Sequence, residues 1–64
     1  MTLKEAARAA QELRRIRYAG TEYERIYEVA LLFDDDGKNY GIVELLDKNR
    51  NCLVSADPAK IELA

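Results

Sequence analysis

The hydrophobic period changes once along this chain, and the change divides it into a helix followed by a sheet. Leu3, Ala6, Ala7, Ala10, Leu13 and Ile16 recur at the spacing of one helix face, with Lys4, Arg8, Gln11, Glu12 and Arg15 on the other. From Glu22 the spacing is two: Tyr23, Tyr27, Val29, Leu31 and Phe33 alternate with Glu22, Glu24, Glu28, Ala30 and Leu32. Thr2 with Glu5 three residues later fits a capping box, in which the hydroxyl accepts an orphan N–H and the carboxylate reaches back. Arg14, Arg15 and Arg17 suit the negative end of a helix dipole, and Gly20 is a natural stop. The pattern predicts one amphipathic helix over about residues 3–18, with a face made mostly of alanine. Side chains that small let a backbone come close, which fits packing on a sheet or on a second copy.

The first strand is expected over about residues 22–33. Arg25 and Ile26 break its alternation and predict a bulge or a register change there. Past Val29 both faces are apolar, so the far end is expected to be buried on both sides. Further strands are expected at about 40–46 (YGIVELL) and 52–55, with a short closing strand at 61–63. The turn-forming runs DKNRN and Asp57-Pro58 separate them. The fold class is α+β: a helix, then a three- to four-stranded antiparallel meander of a size that can curl into a small SH3-like barrel. Residues 1–64 form a single domain.

A chain of 64 residues is close to the lower limit for one self-sufficient core. Its large aliphatics are eight Leu, four Ile and three Val, while nine positions are alanine. A core that thin leans on a disulfide, a metal or a partner. Cys52 is alone, so no disulfide can form within the chain, and the absence of histidine argues against a metal centre. Self-association, most simply a homodimer, is therefore expected. The net charge of −2 lacks the basic excess of a domain that holds nucleic acid by bulk electrostatics. No apolar run is long enough to span a membrane and the N-terminus lacks a secretory pattern, so a cytoplasmic protein is expected.

FDDDGKNYG, Phe33 to Gly41, looks at first like a ligand loop. With Gly37 at the sixth position of a calcium loop, the first and twelfth ligand positions fall on Leu32 and Val43, which cannot coordinate. As a phosphate loop, Gly37-Lys38 has no upstream glycine and no following hydroxyl. The run reads as a turn, with a weak divalent site at Asp34, Asp35 and Asp36 a distant third function. No catalytic residue, cofactor or metal ligand emerges, since nothing pairs Asp, Glu, Lys, Tyr or Cys52 into reactive machinery. Cys52 itself is expected to be a buried, inert thiol. The candidate interaction surface is Arg14, Arg15, Arg17, Tyr18, Tyr23 and Tyr27, where arginines interleave with tyrosines.

The run GIVELLDKNRNCLV is similar to the first signature of Sm-like RNA-binding proteins, with Gly41, Val43, Asp47 and Asn51 on the matching positions. The resemblance implies a helix before a strongly bent sheet, a ring of subunits and a uridine pocket shaped by Asp47 and Asn51. It covers fourteen residues. Arg50 stands where that family has an apolar residue, and the ten residues after Val54 leave no room for its second signature. The leading reading is a non-enzymatic protein-interaction domain that binds itself or another protein. An RNA- or single-strand-binding small barrel is the alternative.

Overall fold

The computed structural model describes all 64 residues. Helix α1 runs over Leu3–Gln11, and its start is the capping box expected from Thr2 and Glu5. The Glu5 N–H donates to Thr2 Oγ1 at 3.1 Å, and the Thr2 N–H donates to Glu5 Oε1 at 2.8 Å. That second bond, ahead of the hydroxyl contact, holds the Glu5 carboxyl below its ordinary pKa.

The helix ends seven residues before the expected Tyr18. Leu13 adopts φ 55°, its N–H donates to the Ala10 carbonyl, and the Arg14 N–H donates to the Ala9 carbonyl. This is a Schellman stop with leucine where glycine is usual. The residues beyond it, Ile16–Tyr18, form strand β1, which pairs through a two-residue turn with β2, Thr21–Tyr23. Ile16 satisfies both the helical and the strand spacing, and tertiary burial decides between them, since it is fully buried as a strand residue. Gly20, expected to stop the helix, instead sits with Ala19 in the β1–β2 turn, both at positive φ, as a type I′ hairpin requires.

Strand β3 covers Arg25–Phe33, β4 Asn39–Leu46, β5 Leu53–Ala56 and β6 Ile61–Leu63, with a single 3-10 turn at Pro58–Lys60. Two antiparallel three-stranded sheets result, ordered β2-β1-β6 and β3-β4-β5. Only Glu24 separates β2 from β3, so the expected single strand bends there and leaves one sheet for the other. The expected bulge lies close to its sequence position: Ile26 opposes Leu45 and Glu28 opposes Glu44, leaving Tyr27 as the extra residue. The class is α+β, and the sheets do not close into a barrel.

The core is small. Ala6 and Ala9 of the helix meet Ile16, Ile26, Val43, Leu45, Ala56 and Ile61, so every element except β2 and the 3-10 turn contributes to it. The helix sits close because its buried residues are alanines, and because β4 offers a glycine beneath Leu3. A Cβ on Gly41 would lie 2.5 Å from Leu3 Cδ2.

The two long hairpins are built alike. In the β3–β4 turn, the Asp34 carbonyl accepts from the Gly37 N–H and Asp34 Oδ1 accepts from the N–H groups of Asp36 and Lys38. In the β4–β5 turn, the Asp47 carbonyl accepts from the Arg50 N–H and Asp47 Oδ1 accepts from the Asn51 N–H. Gly37 and Arg50 occupy equivalent left-handed positions, with φ 80° and 59°. A side chain in that region costs about 1 kcal/mol that glycine does not incur. Arg50→Gly, Leu13→Gly and Ala19→Gly are each expected to raise stability by up to about 1 kcal/mol, less the entropy glycine adds to the unfolded chain. Urea denaturation of the three variants checks this.

Candidate interaction surface

The placement of α1 determines what the sheet leaves uncovered. Nine helical residues span about 14 Å, whereas the nine residues of β3 span about 30 Å. Leu3 lies over Gly41, which pairs with Leu31, so the helix begins at that row and runs inward over the core. Beyond it the β3–β4 hairpin projects as an arm. The molecule is correspondingly elongated, 37 × 21 × 20 Å.

Register places the arm's apolar residues on both faces. Val29, Leu31 and Phe33 share the face of buried Val43, while Leu32 lies opposite Tyr40 and Ala30 opposite Ile42 on the outer face. Leu31 is 52% exposed, Leu32 37%, Phe33 65% and Tyr40 53%. The expectation that β3 is buried on both sides past Val29 is therefore corrected. An apolar run on both faces reads as buried whatever surrounds it, but here the helix starts over Gly41 and runs away from the arm. These four residues are the part of the surface that strand spacing alone did not single out.

The arm ends in FDDDGKNYG, which forms the hairpin turn. Asp34 is occupied by backbone N–H groups, and no three of the His, Cys, Asp and Glu side chains are grouped to hold a metal ion.

The arginines and tyrosines expected to form one surface are divided by the fold. Arg14 pairs with Glu12 at 3.7 Å and Arg15 with Glu24 at 3.9 Å. Arg17, central in its sheet, is flanked in register by Glu22 on one side and Glu62 on the other. Glu22 also pairs with Lys48 at 3.2 Å, and that ammonium, followed by Arg17 and Arg15, lowers its pKa. Tyr18 and Tyr23 are half-buried against the core. Tyr27 stands at the bulge, exposed, with the Arg25 guanidinium 5.5 Å from its ring centre.

The residues matching the Sm-like signature have local structural duties. Gly41 makes room for Leu3, Val43 fills the core, and Asp47 and Asn51 fasten the β4–β5 turn. Cys52 is exposed, which corrects the expectation of burial, because strand β5 begins one residue after it. Its thiol donates to Asp47 Oδ2 at 3.1 Å. The bond works on both partners: it is the main cause of a lowered Asp47 pKa and of a raised Cys52 pKa. The Asp47 contribution to stability is full above the ordinary carboxylate range and is lost as pH falls through the lowered value. The Cys52 contribution is full below the ordinary thiol range and is lost as pH rises through the raised value. The exposed thiol should therefore react with a disulfide reagent at pH 8 several-fold more slowly than a free cysteine, and Asp47→Asn should speed it. An equal rate in both proteins would contradict the Asp47–Cys52 bond.

The concavities on the surface are open and shallow. One of about 250 Å³, lined by Tyr27, Leu46, Arg50, Asn51, Cys52 and Leu53, lies on the outer face of β3-β4-β5 at the end away from the acidic turn. No buried side-chain nitrogen or oxygen lacks a partner. No helix is long and apolar enough to cross a membrane. No family model, curated protein or solved structure matches the chain.

Proposed function

We propose that this chain is a non-enzymatic interaction domain that self-associates through its β3–β4 arm. The observation that carries the reading is the exposure of Leu31, Leu32, Phe33 and Tyr40 together, on both faces of a hairpin that extends beyond the start of the helix. Burying such residues stabilises an interface by roughly 25 cal/mol per Å² of apolar surface. The fold has reason to use that energy, with only 9 of 64 residues buried in the isolated chain. A reducing, cytoplasmic setting suits the lone Cys52. The pairing of Arg14 and Arg15 with glutamates, and the placing of Arg17 between Glu22 and Glu62, weigh against nucleic acid as the partner, because phosphates would have to compete with those carboxylates.

The test is a photo-crosslinking residue at Phe33, compared with the same residue at exposed Gln11, in the cell that makes the protein. The expected product from Phe33 is an adduct of twice the 7.3 kDa chain mass, absent from Gln11. No such adduct, or equal yield at the two positions, would overturn the reading.

A further inference from the structure

Resting on that reading, we infer how two copies meet: their β3 strands pair edge to edge, antiparallel, about a two-fold axis at Ala30. The sheet order leaves β3 as an edge, paired with β4 on one side only. Edge strands in proteins that stay apart are blunted by lysine, proline or inward charges. From Ile26 to Phe33 this edge has no lysine and no proline, and a single charge at Glu28. It is limited instead at its ends, by the bulge at Tyr27 and by the turn that follows Phe33.

Charge makes the edge self-complementary in one direction. It begins at Arg25 and ends beside Asp34, Asp35 and Asp36. Arg25, Asp35 and Asp36 make no ion pair within the chain. Antiparallel pairing sets the arginine end of each copy against the aspartate end of the other, twice by symmetry. An axis at Ala30 places Val29 beside Leu31 of the other copy and brings Arg25, beyond the bulge, to the end that carries the other copy's Asp35 and Asp36. An axis one residue on, at Leu31, would oppose Glu28 and Asp34, two like charges. The result is one continuous six-stranded sheet.

The backbone supports the same register. The Asp34 N–H donates to the Lys38 carbonyl, so by alternation the groups of Leu32 and Ala30 face β4 and those of Leu31 and Val29 face outward. Ala30 would meet its own copy as a non-hydrogen-bonded pair, with Cα atoms about 4.5 Å apart, a separation at which a disulfide closes without moving the backbone.

That geometry gives the experiment. In a Cys52→Ser background, Ala30→Cys is oxidised alongside Glu28→Cys and Leu32→Cys, and the mass of the unaltered protein is followed with concentration. Ala30→Cys is expected to form a covalent dimer at least tenfold faster than either neighbour, while the unaltered protein approaches twice 7.3 kDa. Doubled mass with equal oxidation rates at the three positions would overturn the β3 pairing and leave self-association standing. A mass of 7.3 kDa at every concentration would overturn both.

Discussion

Replacing Gly41 with alanine is expected to destabilise the fold by about 1–3 kcal/mol, the usual cost of forcing extra atoms into a packed site. Propensity alone gives the opposite sign, since glycine weakens a strand interior and its φ here is not in the left-handed region. The contact with Leu3 decides it. The new Cβ would lie 2.5 Å from one Leu3 methyl carbon and 2.8 Å from both the other methyl carbon and Cγ, so the whole side chain must move. Leu3 is in the first turn of α1 and packs against the core, so moving its side chain aside loses part of the contact between helix and sheet. Trimming the obstacle should offset the damage: Gly41→Ala with Leu3→Ala is expected to cost less than the sum of the single changes. Urea denaturation of the four proteins measures the coupling, and strict additivity would contradict the contact.

Leu45→Ala is expected to cost more, about 2–5 kcal/mol, through lost transfer energy and the cavity left behind. Leu45 is fully buried, opposite Ile26 on one side and Val54 on the other. At typical stabilities per residue a chain of this size holds roughly 3–10 kcal/mol in total. The variant should therefore be largely unfolded at 37 °C, visible as loss of far-ultraviolet circular dichroism. Phe33→Ala removes a larger side chain but should change the melting of the dilute protein little, because Phe33 is already in water. If Phe33→Ala were the more damaging of the two in dilute solution, the assignment of core and arm would be wrong.

Local chemistry was legible in the sequence where one residue's own bonds determine the outcome. Thr2 and Glu5 announced the helix start, the broken alternation at Arg25–Ile26 announced the bulge, and the aspartate–glycine run announced a turn. The helix end was not legible, because Leu13 is a poor residue for the left-handed stop it makes and Ile16 fits either period. The β1–β2 hairpin was hidden for a related reason: Ala19-Gly20 lacks the asparagine or aspartate that usually marks such a turn. The candidate surface depended instead on where the helix is seated, which its periodicity does not give. Because α1 starts over Gly41 and runs inward from there, Leu31 and Phe33 stay uncovered on its own face, and Leu32 lies on the face it does not touch. Periodicity assigns residues to faces, but coverage depends on where the elements are placed against one another.

A thin core and an uncovered apolar arm support one another physically. Association that stabilises the folded chain must raise its melting temperature with concentration, because the partner binds the native state alone. The most direct measurement is thermal melting from micromolar to near-millimolar protein, for the unaltered chain and for Leu32→Lys with Phe33→Lys. The expected result is a midpoint that climbs with concentration in the unaltered chain and stays level in the lysine variant, the two coinciding at the dilute end. A level series in the unaltered chain, or a climb that survives both lysines, would contradict self-association through the β3–β4 arm.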